Sequence, residues 1–164
     1  VSADLTDIQA LHGSVEKINH QINEIDVVVH VAGGGLGLRN PLIKSDDFIK
    51  LFMLNFVAAS EINRLIVPEM IERKRGNIVH VASVSSTEAT GSVGYNTTKA
   101  ALAAYVRSLG NELAGFPADS VGFVLDPHLC SLEMLDKFQL PLCQPSGFFF
   151  GKGGSTFFKY LKGG

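Results

Sequence analysis

Apolar residues early in the chain recur at Ile8, Leu11, Val15, Ile18 and Ile22, steps of three and four that lay one stripe along a helix. Ahead of the stripe, Thr6-Asp7-Ile8-Gln9 has the form of a capping box with Thr6 as N-cap, and Val1–Asp4 reads as the end of a strand. The period then changes. Asp26-Val27-Val28-Val29-His30-Val31-Ala32-Gly33 is a nearly unbroken β-branched run, the pattern of a strand buried on both faces and therefore parallel to its neighbours. A Gly-rich loop follows from Gly33 to Pro41. Ser45 is then the expected cap of a long helix through Phe48, Phe52, Asn55, Ala59, Ile62 and Ile66 to about Met70, closed by Arg73-Lys74-Arg75-Gly76. Asn77–Ser83 reads as a second buried strand. A polar loop reaches Gly94, a helix runs from Tyr95 to about Leu113, and Val121–Leu125 has strand character again.

Helix alternating with buried strand predicts an α/β fold with a Rossmann-like doubly wound parallel sheet. In such sheets ligands bind beyond the carboxyl ends of the strands. Three features meet at that edge: Ala32-Gly33 after one strand, Ser83 after the next, and Tyr95 at the head of the following helix.

The chemistry concentrates in Gly94-Tyr95-Asn96-Thr97-Thr98-Lys99. A spacing of four puts Tyr95 and Lys99 on one helical face, where the ammonium favours the phenolate and brings an otherwise weak acid toward a useful range. An amphipathic surface helix can carry the same pair, so its meaning depends on the residues around it. Composition narrows the partners. The net charge of −2 over 164 residues gives no electrostatic case for nucleic acid, and no uninterrupted apolar run is long enough to span a membrane. The two cysteines, Cys130 and Cys143, have no metal-ligand spacing around them, and no metal site is expected. A cytoplasmic location is the default expectation.

With these residues in order, the chain resembles the short-chain dehydrogenase/reductase family over residues 1 to about 115. The family's Asn-Asn-Ala-Gly motif is matched by His30-Val31-Ala32-Gly33, and its adenine-contacting Asp by Asp4. Asn55 in Leu54-Asn55-Phe56 matches its helical Asn, Ser83 its strand-end Ser, and Tyr95 with Lys99 its Tyr-x-x-x-Lys. The resemblance implies hydride transfer between NAD or NADP and an alcohol/carbonyl substrate. It implies Tyr95 as general acid/base and Lys99 tuning it and holding the cofactor ribose. Ser83 would hold the substrate oxygen, and Asn55 would position a water between Lys99 and solvent. It places the cofactor against Asp4, Ala32, Gly33, Tyr95 and Lys99, and it implies a homo-dimer or homo-tetramer packed through long helices, with Ala100, Ala103 and Ala104 suited to close contact. His30, where the family has Asn, reads as a buried structural donor and not a ligand.

Three short patterns are set aside. Gly35-Leu36-Gly37-Leu38-Arg39-Asn40 begins like a dinucleotide fingerprint but runs into Pro41. Gly151-Lys152-Gly153-Gly154-Ser155-Thr156 has the wrong spacing for a phosphate loop, and Asn96-Thr97-Thr98 is a glycosylation sequon by pattern only. Against the family, the first two strands and the phosphate-binding turn are missing, so the sheet is expected to be incomplete. The expected division is a partial NAD(P)-binding domain over residues 1–128 and a divergent, poorly ordered tail over 129–164, in which Phe148-Phe149-Phe150 shows no helical or strand period. Two other readings stand beside the oxidoreductase: a catalytically inactive remnant serving as a binding or oligomerising module, and a sugar-nucleotide epimerase or dehydratase. The second fits less well, because only 12 positions separate Ser83 from Tyr95 and Asn96 follows the Tyr.

Overall fold

The computed structural model describes residues 1–22, 24–114, 122–126, 148–150 and 157–161. Helix α1 (Ile8–Gln21) leads into strand β1 (Val27–His30). A continuous helical segment follows, made of α2 (Ser45–Phe52), one turn of π-helix (Met53–Val57) and α3 (Ala58–Arg73). Then come β2 (Asn77–Val81), a 3₁₀ turn (Val84–Ser86), α4 (Val93–Leu113), β3 (Gly122–Asp126), β4 (Phe148–Phe150) and β5 (Phe157–Leu161).

β1, β2 and β3 are parallel neighbours, with Val28 opposite Ile78 and Ile78 opposite Phe123. Each parallel pair is joined by a helical crossover, as parallel pairing requires. The fold is the Rossmann-like α/β arrangement expected from the alternation. β5 pairs antiparallel with the other edge of β1, and β4 with β5, giving the order β3-β2-β1-β5-β4. This corrects the reading of Phe148–Phe150 as lacking strand character. Aromatic runs favour extended backbone, and the outer edge of β1 offers unpaired amides and carbonyls to any segment that can extend beside it. The remaining residues of the expected tail, with Cys130, Cys143 and the 151–156 pattern, lie outside the described residues.

Alternating strand residues face opposite sides of the sheet. On one side Val28 and Ile78 pack with Leu11, Val15 and Ile18 of α1 and with Ala58, Ile62, Ile66 and Met70 of α3. Each of these side chains larger than alanine contributes about 1.5–3 kcal/mol when removed from water. On the other side Val27, Val29 and Val79 form a second apolar cluster. The segment 45–73 is long and apolar enough by composition to cross a membrane. Its Leu51, Ala58, Ile62, Ile66 and Met70 are buried inside the fold.

Several end signals fall one residue from their expected places. Asp7, not Thr6, caps α1, its carboxylate accepting from the Gln9 and Ala10 amides. Thr6 instead donates its amide and hydroxyl to Asp4 Oδ1, at 2.8 and 2.7 Å. That local turn leaves residues 1–4 as irregular backbone and not the expected strand end. α2 is preceded by Lys44 and begins at Ser45, which is therefore not its cap. At the end of α3 the left-handed residue is Lys74 (φ 54°), while Gly76 serves packing: a Cβ there would lie 2.5 Å from Met70 Sδ. Ala103 is buried within the chain, which removes it from the small residues available to a neighbouring subunit; Ala104 is exposed.

An ionic knot fastens the start of β1 to the end of α3. Arg73 donates to the Ile25 carbonyl at 2.7 Å and to Asp26 Oδ1 at 3.2 Å, and Arg75 Nε donates to the same carboxylate oxygen at 2.9 Å.

Candidate active site

The carboxyl ends of β1 and β2 carry the same three residues, His-Val-Ala, at equal register: His30 lies opposite His80. The backbone then leaves the sheet as Gly33-Gly34 after β1 and as Ser83 after β2. Asn55, buried in the π-turn, reaches across to the first of these exits. Its Oδ1 accepts from the Gly34 amide at 2.9 Å, and its Nδ2 donates to the Gly34 carbonyl at 3.0 Å and to the Leu51 carbonyl at 2.9 Å. Both amide hydrogens and one lone pair of the oxygen are thus engaged, as a buried amide needs. The wider π-turn in this helix places the amide beside the strand end, a use for which such turns are known.

Lys99 is buried at 3% exposure and its Nζ donates to the Val81 carbonyl at 3.1 Å, so the ammonium is held against the end of β2. The same Nζ stands 5.9 Å from the centre of the Tyr95 ring. Gly33 sits where these parts meet: a Cβ on it would lie 2.8 Å from Asn55 Oδ1 and 2.9 Å from Lys99 Nζ. No larger residue fits there without displacing one of them. The head of α4 is held just as closely. Gly94 lets it press on α2, since a Cβ would lie 2.5 Å from Leu51 Cδ1, and Asn96 Oδ1 accepts from the Gly91 amide at 3.0 Å.

Ser83 is half-buried and caps the 3₁₀ turn, its Oγ accepting from the Ser85 amide at 3.1 Å. Ser85, the neighbour with which it could be confused, is turned to Thr90, Oγ to Oγ1 at 2.8 Å. Asp4 is exposed and its carboxylate is engaged by Thr6, whose hydrogen bonds lower its pKa. Ala32 is half-buried on the exit from β1. Asn55, Gly33, Lys99 and Tyr95 are therefore joined by direct approaches, Ser83 is joined to them through the backbone of the β2 exit, and Asp4 makes its contacts at the start of α1.

Beneath the strand ends lies a buried polar cluster that the sequence reading touched only at His30. His30 Nε2 donates to Asn63 Oδ1 at 2.8 Å, matching the expected role of a buried structural donor. Asn63 Nδ2 donates to His80 Nε2 at 3.1 Å and to the Tyr105 hydroxyl at 3.2 Å. Burial pushes His30 down to about 4 and His80 down to about 2, the second helped by the neighbouring His30 and Lys99. Both rings are neutral near neutrality. The Nδ1 of His80 is buried with no hydrogen-bond partner among the described residues. The repeated His-Val-Ala at two strand ends was the available signal for this cluster.

A cavity of about 520 Å³ adjoins Tyr95. Leu38, Arg39, Thr90 and Ser92 line it together with Gly35, Gly37 and Gly91. Gly35, Gly37, Leu38 and Arg39 thus form one wall of this space. The backbone there turns through Leu36 (φ 51°) and Gly37 (φ 71°), closed by the Leu38 amide donating to the Gly35 carbonyl at 2.9 Å.

Comparison with known proteins agrees with this arrangement. The family model for short chain dehydrogenase matches residues 1–117. A mouse protein named dehydrogenase/reductase SDR family member 7 is 31% identical over 117 residues, 70% of this chain and 34% of its own length. A Schizosaccharomyces pombe NADP-dependent 3-hydroxy acid dehydrogenase is 27% identical over 111 residues, 66% of this chain and 43% of its own. The crystal structure of a metagenomic short-chain oxidoreductase in complex with NADP superposes with a TM-score of 0.67 at 25% identity, covering 75% of this chain and 55% of that one. The chain thus spans between a third and a half of the length of these curated relatives.

Proposed function

The chain belongs to the short chain dehydrogenase family, and from that premise we propose that it transfers a hydride between NAD(P)(H) and a small alcohol/carbonyl substrate, with Tyr95 moving the proton. The observation that carries the reading is the convergence of Lys99 Nζ and Asn55 Oδ1 on the bare Cα of Gly33, with the Tyr95 ring 5.9 Å from the same ammonium. A buried cation, a phenol and an open strand end are what oxygen protonation coupled to hydride transfer requires.

The residues present fit the ribose and nicotinamide end of such a cofactor. Gly33 leaves the space beside Lys99 free of a side chain, and Lys99 and Tyr95 supply the donors that ribose hydroxyls take. When bound, the nicotinamide supplies or accepts the hydride. The protein's own part is the proton and the charge. Tyr95 would give its proton to, or take it from, the substrate oxygen. The fixed charge of Lys99 would stabilise negative charge developing on that oxygen. The Ser83 hydroxyl would add a neutral donor to the same oxygen. Asn55 acts as a positioning residue, because its amide fixes both polar groups of Gly34.

NADP named for the fission-yeast relative and bound in the metagenomic structure supports the cofactor class. Titrating NADH and NADPH against the chain, followed by nicotinamide fluorescence, tests the reading. Saturation at micromolar cofactor supports it, with Tyr95→Phe abolishing turnover while leaving that binding nearly intact. No saturation up to millimolar cofactor, or turnover retained in Tyr95→Phe, would overturn it.

A further inference from the structure

We propose that the cavity beside Tyr95 takes a substrate bearing a carboxylate, and that Arg39 is the residue that selects it. The assignment rests on the oxidoreductase reading, since that reading makes this cavity the substrate's.

The cavity wall is almost free of charge. Of the residues lining it, Arg39 alone carries a charge; the others are glycines, Leu38, the hydroxyl residues Thr90 and Ser92, and Tyr95. Arg39 is exposed, and among the described residues no carboxylate forms an ion pair with it. Arg64 is committed to Glu61, and Arg73 and Arg75 to Asp26 and Glu24; the exposed Arg107 lies away from the cavity lining. Among the described residues, Arg39 is thus a guanidinium that borders the cavity without an ion pair. The turn at Leu36 and Gly37, both in the left-handed region, brings the chain back so that Leu38 and Arg39 follow directly on the wall. A left-handed leucine is an uncommon conformation, and its exposed side chain is not retained for packing.

The volume suits a small metabolite-sized ligand, and concave sites with few polar groups fix orientation through those groups. A guanidinium offers parallel N–H donors that match a carboxylate in two-point contact. One guanidinium balances one negative charge, which favours a carboxylate over a phosphate dianion. The molecule implied carries its reacting carbinol or carbonyl at Tyr95 and an acid group on the same short skeleton, as a hydroxy acid or oxo acid does.

Paired ligands separate this inference from the reading beneath it. 3-Hydroxybutanoate and butan-2-ol share the carbinol and differ by the carboxylate. Ligand-observed NMR titrations of the chain, Arg39→Gln and Arg39→Lys would measure both, with NADPH fluorescence recorded on the same samples. The expected result is binding of the acid about tenfold tighter than of the alcohol. Arg39→Gln should erase that difference, Arg39→Lys should restore part of it, and cofactor binding should stay unchanged throughout. Equal binding of acid and alcohol, or a preference that survives Arg39→Gln, overturns the carboxylate assignment even where NADPH binds. Loss of NADPH binding with the acid preference intact overturns the oxidoreductase reading instead.

Discussion

The imidazoles of His30 and His80 stack with centroids 4.4 Å apart and planes 19° from parallel, at the same level of two adjacent parallel strands. Asn63 bridges them, taking a proton from one and offering one to the other. The pair is a neutral unit, because a charge on either ring would be both buried and pressed against its partner.

That neutrality makes stability depend on pH in a defined window. Burial lowers His30 from its ordinary 6.5 to about 4. The unfolded chain therefore binds the proton first, so stability is full above pH 6.5 and falls as pH drops toward 4. For His30 the total loss is about 3 kcal/mol. His80, lowered further, extends the decline. Glu61, held at about 2 chiefly by its hydrogen bond from Arg64, keeps its stabilising contribution above its ordinary 4.5 and loses it only below. Urea denaturation between pH 7.5 and 5 should thus isolate the histidines, and His30→Asn should flatten the slope. An unchanged slope in that variant would count against the assignment.

Two glycine-to-alanine changes should have opposite signs. Gly33→Ala drives a methyl to within 3 Å of Asn55 Oδ1 and Lys99 Nζ and should cost about 1–3 kcal/mol. Gly13 lies inside α1 with nothing within 4 Å of its would-be Cβ, so Gly13→Ala should stabilise by about 0.5–1 kcal/mol. Paired denaturation curves check both.

Removing the Asn55 amide leaves the Gly34 amide and the Gly34 and Leu51 carbonyls without its three hydrogen bonds. Asn55→Ala should cost about 2–4 kcal/mol from unsatisfied groups and lost packing. In hydrogen exchange the Gly34 amide should lose protection far more than amides in β2. Equal loss across both would indicate global unfolding and not a local role.

Asp26→Ala should destabilise by about 2–3 kcal/mol, because it strips the shared carboxylate from Arg73 and Arg75 at a site only 7% exposed. Asp47→Ala, breaking an exposed contact to Lys50, should change stability by less than about 0.5 kcal/mol. Comparable effects of the two would contradict the difference in burial.

The regular elements were legible because period is legible. The stripe Ile8 to Ile22 became α1 with Leu11, Val15 and Ile18 in the core, and the valines of 27–29 became a fully buried strand, parallel to β2 on one edge but antiparallel to β5 on the other. Caps were misplaced by one residue because Thr6 and Asp7 are both competent and adjacent, and Lys74 entered the left-handed region with a glycine two residues away. Tyr95 and Lys99 stand out by helix spacing and Asn55 by the family resemblance, and the fold brings the three together around Gly33. Asn63, His80 and Tyr105 stand far apart in the chain and meet only when α3, β2 and α4 are packed. Arg39 was passed over inside a stretch weighed only as a failed dinucleotide fingerprint, although its closeness to the β1 exit was visible.

The π-turn at Met53–Val57 has a consequence for the whole helical segment. One extra residue in a turn advances the angular phase of everything after it by about 100°. α2 can therefore aim Leu51 at Gly94 of α4, while α3 on the same rod aims Ile62 and Met70 at α1 and the sheet. Deleting a single residue there would leave a straighter and more regular helix that could satisfy only one of its two sets of neighbours.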